Sequence, residues 1–176
     1  MHIAVRTVAV AAAFVISTLP GFAQNAGGLP GGASSLQETY DDWQVTCSTQ
    51  DAAVHCSMVQ NQIDSQSRQR VLAVEINNVA GDKASGLLLL PFGLALAQPV
   101  ALQVDEGAPA APIPFRTCLP AGCIVPIAFD GAMLGALKAG TALKIAATAD
   151  GGNPANFSVS LKGFSKAIDR VATLAK

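Results

Sequence analysis

The sequence predicts an all-β fold, an antiparallel sandwich with two short peripheral helices. Three observations predict it. Apolar and polar residues alternate through successive stretches from Tyr40 onward, and clusters of Gly, Pro, Asn and Asp separate those stretches. Only two segments show helical spacing, so the long crossover helices of a parallel sheet are missing.

The chain of 176 residues begins with MHIAVRTVAVAAAFVISTLPGFA. Arg6 supplies a basic start, an apolar run extends from Val8 to Leu19, Pro20 breaks it, and small residues precede Ala23. That layout reads as a secretory signal peptide over residues 1–23, cut between Ala23 and Gln24. The run of about 12 residues falls short of the ~20 that a membrane-spanning helix needs. No cysteine adjoins the cut, which removes a lipoprotein-type anchor. The expectation is a mature chain without a transmembrane segment, in the periplasm, secreted or at the outer envelope.

Residues 24–39, QNAGGLPGGASSLQET, are rich in Gly, Ser and Ala and read as a flexible leader. A single sandwich domain is expected over residues 40–176, a normal size for one core. In YDDWQVTCS, Trp43, Val45 and Cys47 share a face. Val54, Cys56 and Met58 do so in VHCSMVQ, and Leu72, Val74 and Ile76 in RVLAVEINNV. Leu143, Ile145 and Ala147 repeat the pattern, as do Phe157, Val159 and Leu161. The most apolar block, 87–104, reads as two buried strands joined near Pro91, Phe92 and Gly93; the competing reading is an exposed partner surface. FDGAMLGALKAG reads as a helix with Asp130 as N-cap, Met133, Leu134 and Leu137 as its apolar stripe, and Gly140 just past its end. FSKAIDRVATLAK spaces Phe164, Ile168 and Val171 at helical intervals.

There are four cysteines, Cys47, Cys56, Cys118 and Cys123. An even count in an exported chain points to disulfides. Cys118 and Cys123 flank Leu119-Pro120-Ala121-Gly122, a hairpin-like connection, and Cys47 and Cys56 close a short loop between two candidate strands. Opposed residues on paired strands lie within disulfide reach, so pairs Cys47–Cys56 and Cys118–Cys123 are favoured over the crossed pairings. A zinc site would want C-x₂₋₄-C pairs, which Cys47 and Cys56 do not form. Thiol-disulfide catalysis would want C-x-x-C, which is absent.

Little else suggests chemistry. His55 is the one histidine after residue 23 and stands without an evident nucleophile or orienting acid. No G-x-S-x-G, phosphate loop or paired-histidine motif occurs. The acidic turns at Asp105-Glu106 and Asp130 carry too few oxygens for calcium. The Pro-rich stretch 107–114 reads as a connection, and Asn156-Phe157-Ser158 as a chance glycosylation triplet inside a strand. With a net charge of −1 and no basic cluster, nucleic-acid binding is not expected. Neither a catalytic residue, a metal nor a cofactor is expected; the partner is a protein or envelope component. The alternative is a carrier of a small hydrophobic ligand, lined by the 87–104 block.

Several motifs occur together in a known order. They are Asp42-Trp43 leading to Cys47, then CSMVQ, LLLLPFGLALAQPVALQVDEG, PFRTCLPAGC, FDGAMLGALKAG and SLKGFSKAIDRV. From Tyr40 to Leu174 the chain resembles the invasion-associated locus B family of exported bacterial envelope proteins, with R-x-C-L-P-x-G-C and S-L-K-G-F as the most specific pieces. The resemblance implies an immunoglobulin-like sandwich, disulfides, a Gram-negative envelope location and, in some pathogens, a link to host-cell entry. It brings neither catalytic residue nor cofactor. Gly135 inside the first helix and the Ala146-Ala147 pair depart from the family pattern.

Overall fold

A computed structural model describes residues 28–51 and 53–175; the expected signal peptide and its Ala23/Gln24 cut lie outside them. Ten strands and two helices follow in order: β1 (Ser35–Tyr40), β2 (Trp43–Gln50), β3 (Ala53–Ile63), β4 (Arg70–Ala80), β5 (Lys83–Leu90), β6 (Ala101–Val104), β7 (Thr117–Leu119), β8 (Gly122–Phe129), α1 (Gly131–Ala139), β9 (Ala142–Thr148), β10 (Pro154–Ser160) and α2 (Phe164–Leu174). Seven strands form one sheet in the order β1-β2-β3-β4-β5-β8-β7, and three form a second, β10-β9-β6. Every pairing is antiparallel. The fold is thus an all-β sandwich with two short helices, split seven against three, its first five strands a simple meander.

The alternation in sequence becomes the inner face of the larger sheet. Trp43, Val45 and Cys47 on β2, Val54, Cys56 and Met58 on β3, and Leu72, Val74 and Ile76 on β4 are all buried. Register continues that face through Leu88 opposite Val74 and Val125 opposite Leu88. Against it pack β9 and β10, through Leu143, Ile145 and Val159, and the amphipathic α2, through Phe164, Ala167, Ile168 and Val171. Each large side chain removed from water in this way stabilises the fold by roughly 1.5–3 kcal/mol. Trp43 and Phe164 meet edge to face, ring centroids 5.2 Å apart at 79°.

Gln60 is the buried polar exception on this face. Its side-chain amide treats Ser160 as a neighbouring strand would: Nε2 donates to the Ser160 carbonyl at 2.8 Å, and the Ser160 N–H donates to Oε1 at 3.1 Å. Trp43 Nε1 donates to the same carbonyl at 3.0 Å. These bonds tie the end of β10 to β2 and β3.

Three expectations change in detail. Residues 29–39, placed in a flexible leader by composition, are partly structured. Leu29 is buried in the core, Pro30–Gly32 form a 3-10 turn, and β1 begins at Ser35. Leu36, Glu38 and Tyr40 alternate along β1, a pattern masked by the Gly- and Ser-rich residues before it. The 87–104 block does contain two strands, β5 and β6, but they belong to different sheets and the intervening residues cross between layers. Gly140 closes α1 in an extended conformation, φ −80° and ψ 173°, rather than a left-handed one. Its lack of a side chain has a steric reason, since a β-carbon would lie 2.5 Å from Val104 Cγ1. The Asp130 cap is present, its carboxylate accepting the Met133 N–H at 2.8 Å.

Candidate functional site

The cysteines occupy directly opposed positions. Cys47 pairs with Cys56 across β2 and β3, and Cys118 with Cys123 across β7 and β8. Both pairs are bonded, with Cα–Cα distances of 4.1 Å and 3.9 Å, close to the spacing of non-hydrogen-bonded pairs in an antiparallel ladder. The β7–β8 hairpin turns tightly because Gly122 adopts φ 136° and leaves room for the Leu90 carbonyl, 2.6 Å from where its β-carbon would be. Leu119 and Gly122 remain paired, so only Pro120 and Ala121 form the tip. The register places the two disulfides diagonally on one sheet. Cys47–Cys56 lies towards the end where β4 turns into β5, whereas Cys118–Cys123, beside Leu90, lies at the end where β3 turns into β4.

The other residues singled out in sequence stand apart from one another. His55 is exposed on the outer face of β3. Asp105 uses its carboxylate to accept the N–H groups of Thr141 and Ala142, at 3.0 and 2.9 Å; these bonds, Thr141 first, hold its carboxyl below the ordinary range. Glu106 pairs with Lys144. Asn156 and Ser158 lie on β10, and the 107–114 segment is tied to β6 and its approach through Ala110 to Leu102 and Ile113 to Val100. Among the described residues, no three His, Cys, Asp or Glu side chains converge as a metal site. No described helix is long and apolar enough to cross a membrane.

The apolar surface is distributed unevenly. Among the described residues, Ile63, Phe92, Leu96 and Leu119 are the large hydrophobic side chains left exposed, at 62%, 61%, 49% and 51%. Ile63 ends β3, Phe92 follows the end of β5, and Leu119 ends β7, all at the end of the larger sheet marked by the β3–β4 turn. Leu96 joins them, because Ala95 bonds to Thr148 at the end of β9, and the Gln62 side chain bonds to Ser158 on neighbouring β10. Acidic turn residues occur at both ends: Asp51, Asp82 and Asp130 at the opposite one, and Asp41, Asp42, Asp64 and Asp150 at the apolar one. The 87–104 block, by contrast, is largely internal, with Leu88, Leu90, Leu94, Val100, Leu102 and Val104 buried. It contributes Leu102 to a groove of about 780 Å³ beside β8, and Leu89, Leu90, Pro91 and Phe92 to a second of about 590 Å³.

Comparison with known proteins adds the following. The family described as Invasion associated locus B (IalB) protein matches residues 43–172. An invasion protein B homolog of Brucella abortus (strain 2308) is 46% identical over 169 residues, covering 96% of this chain and 97% of that one. Invasion protein B of Bartonella bacilliformis is 41% identical over 151 residues, covering 84% and 81%. The crystal structure of invasion associated protein b from Bartonella henselae aligns with a TM-score of 0.74 at 41% identity, over 79% of this chain and 96% of that chain.

Proposed function

The chain belongs to the invasion-associated locus B family, and on that premise we propose that it is an exported, non-enzymatic contact protein of the bacterial envelope. In this reading residues 1–23 are removed between Ala23 and Gln24. The sandwich then works in the periplasm or at the outer envelope by binding a protein or envelope component. The observation that carries the reading is the gathering of Ile63, Phe92, Leu96 and Leu119 at one end of the molecule. Exposed apolar side chains concentrated in one region mark contact surfaces far more often than scattered ones do. The names of the Brucella and Bartonella relatives support a link to host-cell entry.

The test is photo-crosslinking in the native cell envelope, with a benzophenone side chain at Phe92 or Leu119 and a control at Asp51. Discrete adducts from Phe92 and Leu119 but not from Asp51 are expected. Equal capture from all three positions, or turnover by the purified protein across ester, peptide and glycosidic substrates, would refute the reading.

A further inference from the structure

Half of β8 has an open side. β7 covers only Gly122–Ile124, and the last main-chain bond across that seam runs from the Arg116 N–H to the Ile124 carbonyl at 2.8 Å. Main-chain groups alternate sides along a strand, so that carbonyl sets the direction for the rest of β8. Pro126 and Ala128 face the open side, while Val125, Ile127 and Phe129 face β5. Pro126 has no N–H to offer, which is why a proline is tolerated in this strand at all. Pro112 and Pro114, in the segment leading into β7, have none to return. The ladder stops there for that reason. The Pro126 carbonyl and both main-chain groups of Ala128 have no partner among the described residues.

Beside this edge runs a groove of about 780 Å³, between β8 and the 110–114 segment. Ala110, Ile113 and Met133 form its walls, and Leu102 and Phe129 its floor. Asp130 and Lys83 also line it. Asp82 adjoins them, its carboxylate 2.8 Å from where a β-carbon on Gly131 would lie. Two carboxylates against one ammonium leave that region negative.

We propose that this edge accepts an extended segment of another polypeptide as an added strand, with apolar side chains in the groove and a basic residue beside Asp82 and Asp130. The inference rests on the contact-protein reading and identifies a second surface and its partner class. A row of unpaired donor and acceptor groups selects a main chain over an acyl chain, which has nothing to bond to them. The missing Pro126 N–H narrows the choice further, since the incoming strand must donate to the Pro126 carbonyl and receives a donor only from Ala128.

The probe is a fluorescent peptide of two lysines followed by alternating valine and threonine. Anisotropy would compare it with the same peptide N-methylated at alternate residues and with a version carrying glutamates for the lysines. The full chain would be used as wild type, as Ala128→Pro and as Ala110→Arg. Saturable binding to wild type, weakened at least tenfold by methylation, by the glutamate exchange and by either substitution, is expected. The two altered peptides keep the test informative should a variant fold poorly. No saturable binding, or binding indifferent to methylation, overturns the assignment. Either result leaves crosslinking at Phe92 and Leu119 as the separate test of the contact-protein reading.

Discussion

A β-carbon on Gly163 would lie 2.0 Å from the carbonyl oxygen of Tyr40, so the start of α2 seats directly on the β1–β2 turn. Gly163 also adopts φ 86°, which side chains of L-residues resist. The glycine of S-L-K-G-F therefore has two independent physical reasons, and it brings Phe164 onto Trp43. Gly163→Ala is expected to cost about 3 kcal/mol, combining backbone strain with displacement of a helix. Urea denaturation measures it, and a midpoint near wild type would show that α2 can shift without penalty.

Gln60→Leu should destabilise by roughly 1–3 kcal/mol despite adding apolar volume, because the partly buried Ser160 N–H loses its acceptor. The same denaturation experiment applies. A gain in stability would mean that β10 finds another partner.

Each disulfide closes a short loop, and removing either should cost about 2–3 kcal/mol. The pairs are not equivalent, since Cys47 and Cys56 sit among Val45, Val54 and Met58 while Cys118 is partly exposed on a three-residue edge strand. The double alanine variant at Cys47 and Cys56 should therefore lose more than the one at Cys118 and Cys123. The reverse order in melting temperature would contradict that ranking. Peptide mapping without reductant should recover both pairs and no crossed ones.

Glu38 and Arg170 join the first strand to the last helix through two bonds, 2.7 Å from Nε and 2.8 Å from Nη2. Arg170 first, and then the Tyr40 hydroxyl, hold the Glu38 carboxyl below its ordinary value. Folding thus favours the ionised form. The contribution is complete above the ordinary carboxylate range and fades as pH falls through the lowered folded value. Asp64, whose carboxylate accepts the Ser67 and Gln66 N–H groups, acts in the same direction. Stability should decline in acid, and Glu38→Gln should start lower at neutral pH with a shallower decline. Parallel pH profiles would show that the pair does not couple to folding.

Gly135 lies within α1 with nothing within 4 Å of where a β-carbon would go. Gly135→Ala should raise stability by about 0.5–1 kcal/mol through helix propensity alone. A thermal melt checks it, and a loss would indicate an unseen contact on that side.

The strands with one wet face were legible from their letters, because Trp43, Val45 and Cys47 or Leu143, Ile145 and Ala147 alternate cleanly. Strand β8 was harder, since Gly122–Phe129 is apolar on nearly every residue and contains Pro126, normally a mark against a strand. Only the neighbours reveal that the proline faces an open edge. Gln60 escaped notice for a similar reason: a glutamine between apolar residues looks solvent-facing until Ser160, a hundred positions away in sequence, supplies its partners. The exposed end was hidden because Ile63, Phe92, Leu96 and Leu119 come from three separate connections, and periodicity says nothing about where a loop ends up.

The sulfur bridges join cysteines that are consecutive in the chain, first with second and third with fourth. A polypeptide entering an oxidising space from its N-terminus would expose Cys47 and Cys56 well before Cys118. An oxidant that simply couples thiols in order of arrival would then yield the native set, with no reshuffling step. Under the exported reading proposed above, maturation should accordingly depend on an oxidase and be indifferent to a disulfide isomerase.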